Sequence, residues 1–177
     1  MRAKVFWVMA LTAAAAACGE GRAIFDIDVF SFLSSAKADT LPYIGPLPPG
    51  VPDTIPVQTV NSLGLGSSSI VDTVRLSGSV DFVNATGTGS VAFQVYFDSV
   101  KSTVYTSPPA FSVTGNVTPA TTTPSLFAVD IIDPAMKQLF LASTIYVGIR
   151  ATATGTIQGT AKLRALRARI VIQEKIF

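Results

Sequence analysis

Apolar and polar residues alternate along much of this chain. Between residues 90 and 98, Val91, Phe93, Val95 and Phe97 fall on one side, and Ala92, Gln94, Tyr96 and Asp98 on the other. Successive side chains of a strand point to opposite faces, so this period of two predicts a half-buried β-strand. The same reading predicts strands over residues 69–84 (bulged near Gly78), 100–106, 111–117, 126–132, 143–154 and 157–176. Ala85-Thr86-Gly87-Thr88-Gly89 reads as a glycine turn that makes residues 69–98 a hairpin. Residues 24–33 read as another strand, with Asp26 and Asp28 on one face and Phe25, Ile27 and Val29 on the other.

Two segments break the alternation. Residues 41–56 hold Pro42, Pro46, Pro48, Pro49, Pro52 and Pro56. Proline fixes φ and removes a donor, so an extended connector is expected there. One helix is expected: Asp133 caps it, Pro134 takes its first position, and residues 135–142 continue it. Met136, Leu139 and Phe140 give that helix a narrow apolar face.

In the last strand Lys162 and Arg164 are even-numbered, whereas Arg167 and Arg169 are odd. A regular strand cannot hold all four on one face. A β-bulge at Ala165-Leu166 restores a single polar side, because one extra residue flips the register. About eight short strands, one short helix and no βαβ rhythm predict an all-β antiparallel sandwich.

The chain opens differently. Arg2 and Lys4 precede an uncharged 13-residue run from Val5 to Ala17. A basic start, a short apolar stretch and a small-residue exit make a secretory signal; spanning a bilayer takes about 20 apolar residues. Cys18, the one cysteine of the chain, follows at once. Ala15-Ala16-Ala17-Cys18-Gly19 resembles the lipobox of bacterial lipoproteins, with Ala15 standing where leucine is usual. The resemblance implies that Cys18 is acylated after cleavage and anchors the chain in a membrane. Gly19, rather than Asp, then favours the outer membrane over the inner. The rival reading is ordinary cleavage at an Ala-x-Ala site, which leaves a secreted protein with a free thiol. The expected organisation is a signal peptide over 1–17, then an N-terminal anchor, first strand and proline-rich connector over 18–56. The sandwich body follows over 57–177, and the first strand is free to join it.

Charge removes one class of partner. The 13 basic residues less Arg2 and Lys4 balance the 11 acidic ones. A neutral mature chain gives no electrostatic case for nucleic acid. Basic residues do crowd the last strand, where Lys162, Arg164, Arg167 and Arg169 form a candidate interaction strip. The simpler reading of that strip is a solvated strand face; the sharper one is contact with anionic headgroups or an acidic partner.

Most catalytic chemistry is missing. There is no histidine, which removes the Ser-His-Asp and Cys-His triads and His-ligated zinc. The lone tryptophan, Trp7, lies in the leader, so a sugar platform would have to rest on Tyr43, Tyr96, Tyr105 and Tyr146. Asp26 with Asp28, and Asp130 with Asp133, are weak candidates for calcium, which wants six to eight oxygens. Neither pair has the spacing of a calcium loop, so no metal or cofactor is expected. Gly64-Leu65-Gly66 lacks the rest of a dinucleotide fingerprint. Asn84-Ala85-Thr86 and Asn116-Val117-Thr118 match the glycosylation pattern, and both asparagines read as turn residues. A membrane barrel ending at Phe177 would place Lys175 and Arg169 towards lipid, at a few kcal/mol each.

The expected function is therefore non-enzymatic: a lipid-anchored envelope sandwich that serves as accessory subunit or adaptor, with the membrane and an envelope protein as partners. Two alternatives stand beside it. One is a carrier that holds an apolar ligand between its sheets under the short helix. The other is a secreted binding module, which would need a cluster of exposed tyrosines.

Overall fold

The computed structural model describes residues 21–46, 53–61 and 69–174. It contains nine strands: β1 (Gly21–Asp28), β2 (Thr40–Gly45), β3 (Gln58–Asn61), β4 (Ser69–Thr86), β5 (Gly89–Asp98), β6 (Phe111–Val117), β7 (Thr121–Ile131), β8 (Thr144–Gly155) and β9 (Ile157–Glu174). Two short helices accompany them, α1 (Val29–Ser35) and α2 (Pro134–Leu139). The protein is an all-β antiparallel sandwich, as the alternation predicts. One sheet has the order β1-β9-β4-β7, with β2 also paired to β9; the other has the order β3-β8-β5-β6.

The topology corrects the expected hairpin. β4 pairs with β7 and β9 in the five-stranded sheet, while β5 pairs with β6 and β8 in the four-stranded one. The turn between β4 and β5 is thus a corner that carries the chain from sheet to sheet. The connection from β8 to β9 makes the same crossing beside it, and Gly89 pairs with Gly155 at the bend. The connection from β6 to β7 makes a third. In effect one broad antiparallel ribbon folds over on itself. Gly87 (φ +77°) makes the corner tight: a Cβ there would lie 1.7 Å from the Thr156 carbonyl oxygen. No side chain fits, and only glycine adopts that φ freely.

Inward residues of both sheets meet in one core. Val74, Leu76, Val80 and Phe82 of β4 and Leu163, Leu166, Ala168 and Ile170 of β9 have no solvent exposure. Val91, Phe93 and Val95 of β5 face them from the other sheet. Burying each of the larger side chains contributes roughly 2 kcal/mol. The sheets interlock at Phe82, whose ring takes the space left by Gly115 of β6; a Cβ at Gly115 would stand 2.5 Å from that ring.

Three other expectations need correction. The strand expected over 24–33 ends at Asp28, which caps α1 by accepting from the Ser31 amide. Val29 and Leu33, four residues apart, are buried on one side of that helix. The connector expected over 41–56 overlaps β2, and both β1 and β2 pair with β9 within the sandwich. Pro42 is tolerated because β2 pairs on one side only. The strand expected over 100–106 is a turn. Asp98 holds it by accepting from the Val100 amide (2.9 Å), Thr103 Oγ1 (3.0 Å) and Ser107 Oγ (2.7 Å).

Partial burial pushes the Asp98 carboxyl up, but those hydrogen bonds outweigh it and hold the group below the ordinary carboxylate range. A depressed folded value means that the ionised form stabilises the fold above about pH 4 and that this support fades as pH falls further. Asp98→Ala is expected to cost about 1 kcal/mol near neutral pH. Urea titrations of both proteins should show that difference shrinking towards about pH 2.

Candidate functional site

The four basic residues of the candidate strip reach one face by means of a bulge. Val80 pairs with Leu163 and Ser79 with Ala165, so Arg164 is the extra residue of β9. This corrects the bulge expected at Ala165-Leu166: pairing runs unbroken through both residues, and the extra residue stands one position earlier. Its effect is the expected one. Leu163 and Leu166 are both buried, and Lys162, Arg164, Arg167 and Arg169 all point away from the core.

That outer face has an order set by register. Asp26 and Asp28 of β1 stand opposite Arg169 and Arg167 of β9. On the other side of β9, Arg169 faces Arg75 of β4, and Arg167 faces Ser77. Arg75 in turn faces Asp130 of β7. One row across the sheet therefore reads acid, base, base, acid. Directly opposed residues have Cβ atoms roughly 5 Å apart, and like charges so placed repel. An open depression of about 650 Å³ lies over this row.

Compensation is uneven. Arg164 Nε donates to Asp81 Oδ2 at 2.6 Å. Arg75 lies 3.8 Å from Asp130, with both side chains more than half exposed. Such pairs contribute under about 1 kcal/mol. Arg167 and Arg169 form no ion pair among the described residues, although each faces an aspartate in register. Sequence reasoning found Lys162, Arg164, Arg167 and Arg169 but passed over Arg75. Nothing local marks Arg75, because only the β4–β9 ladder brings it to Arg169.

The remaining candidates are dispersed. Asp26 and Asp28 meet arginines across the ladder. Asp130 faces Arg75, and Asp133 caps α2 by accepting from the Ala135 amide at 2.9 Å. The described residues hold no group of three or more metal-ligating acidic, cysteine or histidine side chains. Cys18, Lys175, Gly64 and Gly66 lie outside the described residues. Asn116 sits exposed within β6, and Asn84 is buried near the end of β4. Asn84 Nδ2 donates to the carbonyls of Gly87 (2.8 Å) and Thr118 (3.0 Å).

Tyr43, Tyr96 and Tyr105 form no open platform, and Tyr146 lies half-buried in β8. Tyr43 is buried, and its hydroxyl donates to Asn84 Oδ1 at 3.3 Å; burial pushes that hydroxyl's pKa up. Tyr96 and Tyr105 meet edge to face at 5.5 Å between ring centres. Both lie against the Arg150 guanidinium, which stands 3.3 Å from Asp53. Tyr105 also bonds the Ile55 carbonyl, fastening the 99–110 segment over β8. Burial is the main influence on its hydroxyl and raises its pKa. Helix α2 is fastened as well. Phe140 at its end packs on Phe97 at 5.4 Å, and Lys137 Nζ donates to the Asp72 carbonyl at 2.9 Å.

No protein-family profile matches this chain, and no curated protein matches it. Some solved structures resemble it weakly. A viral particle of infectious bursal disease virus matches over 89% of this chain and 36% of its own, at 12% identity and a TM-score of 0.45. A xylan-binding module matches over 88% of this chain and 98% of its own, at 14% identity and a TM-score of 0.36. The cowpea mosaic virus top component covers 71% of this chain and 82% of its own, at 14% identity and 0.30. The chain thus spans little more than a third of the bursal disease virus chain.

Proposed function

We propose that this protein is an exported, lipid-anchored β-sandwich of the bacterial envelope, acting without catalysis as an accessory subunit or adaptor of a membrane-associated assembly. The observation that carries the reading is the leader: a basic start, an apolar run from Val5 to Ala17 and then Cys18. Acylation there, with more than one chain, anchors a protein stably at about 0.8 kcal/mol per buried CH2. Were Cys18 acylated, β1 would set the spacing from the membrane. It begins at Gly21 and pairs at once with β9. Chain reach from Cys18 to Gly21 is roughly 10 Å, so the anchor would hold the sandwich close against the bilayer.

The surface supports a contact role. Among the described residues β7 is an edge strand of the five-stranded sheet, with Leu126 83% exposed, and Ile132 just beyond it is 86% exposed. An unpaired edge is a ready place for another chain to add. The carrier alternative draws less support. The space between the sheets, where an apolar ligand would sit, is occupied by Phe82, Phe93, Leu163 and Leu166, all at most 1% exposed.

Detergent partitioning tests the anchor. Wild-type protein from its own cells is expected in the detergent phase of a cloud-point separation, and Cys18→Ala in the aqueous phase. Identical partitioning of the two would reject the lipid anchor.

A further inference from the structure

We propose that the outer face of the five-stranded sheet holds an oxyanion-binding site, built by Arg75, Arg167 and Arg169 with the hydroxyls of Thr73 and Ser77, for a phosphate-bearing ligand. These residues line one depression of about 650 Å³. The inference does not depend on the lipid anchor.

The starting point is the pair Arg75 and Arg169, directly opposed across the β4–β9 ladder. Two cations in that relation weaken a sheet. The chain has acids available on the same face, yet they occupy the flanks: Asp26 beyond Arg169, Asp130 beyond Arg75. A fold that only needed a neutral face would alternate the charges. Here the two central strands carry the cations side by side and only the flanking acids offset them, and a local rule broken in this way marks a functional position. Arg167 adds a third guanidinium two residues along β9, on the same face. Arg167 and Arg169 are without ion pairs among the described residues, so their donors are available.

The donor set indicates the ligand. Guanidinium groups present forked N–H donors that match the oxygens of carboxylate and phosphate. A carboxylate offers two oxygens and is served by one arginine. Three arginines with two hydroxyls suit the several acceptor oxygens of a phosphate group. Asp26 and Asp130 lower the affinity by repulsion. They also make a direct prediction, since removing Asp26 should strengthen binding rather than weaken the site.

The test uses the mature chain carrying Cys18→Ala, so that no acyl chain takes it to lipid, and inorganic phosphate, against sodium chloride at equal ionic strength. Arginine Nε–Hε and backbone amide resonances report the site. Saturable shifts are expected at Arg75, Arg167, Arg169, Thr73 and Ser77. Arg75→Gln and Arg169→Gln should each weaken phosphate about tenfold. Neither should lower the thermal midpoint, because each relieves the repulsion. Asp26→Asn should tighten phosphate by about threefold. Phosphatidylglycerol vesicles, with phosphatidylcholine vesicles as control, separate the sources of the phosphate. Pelleting with the former, competed by free phosphate, assigns a lipid headgroup; phosphate binding without pelleting assigns a soluble phosphate ester. Shifts no larger than those in chloride, or Arg169→Gln binding phosphate as wild type does, would overturn the site. A fall in thermal midpoint for both glutamine variants would show instead that the arginines serve the fold.

Discussion

Phe82→Ala is expected to lower the unfolding free energy by about 3–5 kcal/mol, the usual loss for a fully buried aromatic ring. Natural domains have roughly 5–15 kcal/mol in total, so this one change removes a large share. The reason is position. Phe82 has no solvent exposure, and its ring reaches from β4 to the backbone of β6, where Gly115 leaves room for it. Truncation leaves a cavity between two sheets that are each internally bonded and cannot collapse far. Urea unfolding should show a lower midpoint at unchanged slope. A companion change checks the contact itself. Gly115→Ala sets a methyl group 2.5 Å from the ring and should destabilise the wild type. In the Phe82→Ala background the same methyl group should be tolerated or even stabilising. That coupling is the mark of two residues in contact; simple additivity would mean that the sheets do not meet at this point.

Asn84→Ala is the second large effect, expected at about 3 kcal/mol. Asn84 is 2% exposed and serves three partners: the carbonyls of Gly87 and Thr118 and the hydroxyl of Tyr43. Those partners lie on the β4–β5 corner, the β6–β7 connection and β2. A single amide thus ties together two of the places where the chain changes sheets and an edge strand. Alanine leaves buried polar groups unpaired, which costs more than a lost hydrogen bond alone. Tyr43→Phe breaks only the 3.3 Å contact and should cost less than about 1 kcal/mol. Thermal unfolding of both variants checks the order. Equal losses would place the weight on the tyrosine instead.

Strand identity was largely legible, because burial on one face imposes a period of two that survives in any strand with one wet side. The polar side of β9 was legible for the same reason. Lys162 and Arg164 clash in parity with Arg167 and Arg169, and a bulge is the economical way to reconcile them. The α2 start was legible from Asp133 and Pro134, which act locally.

Pairing was not legible, and the physics explains why. Gly87 serves a hairpin turn and a sheet-to-sheet corner equally well; what decides is the distant neighbour Thr156, against which it packs. Helix α1 was hidden because Val29, Phe30, Phe32 and Leu33 continue the apolar run of β1. Its signals were the cap at Asp28 and the spacing of Val29 and Leu33. The 99–107 turn was hidden because its apolar residues suggest a strand, while its conformation is set by the Asp98 carboxylate. The site was half legible. β9 announced its arginines, but Arg75 gains its meaning only from the residue across the ladder.

Native mass spectrometry of the protein extracted from its own membranes in mild detergent reads the anchor and the assembly together. The expected species is a chain that starts at Cys18, carries acyl mass and travels in a complex of fixed stoichiometry. A lone, unacylated chain would contradict that expectation.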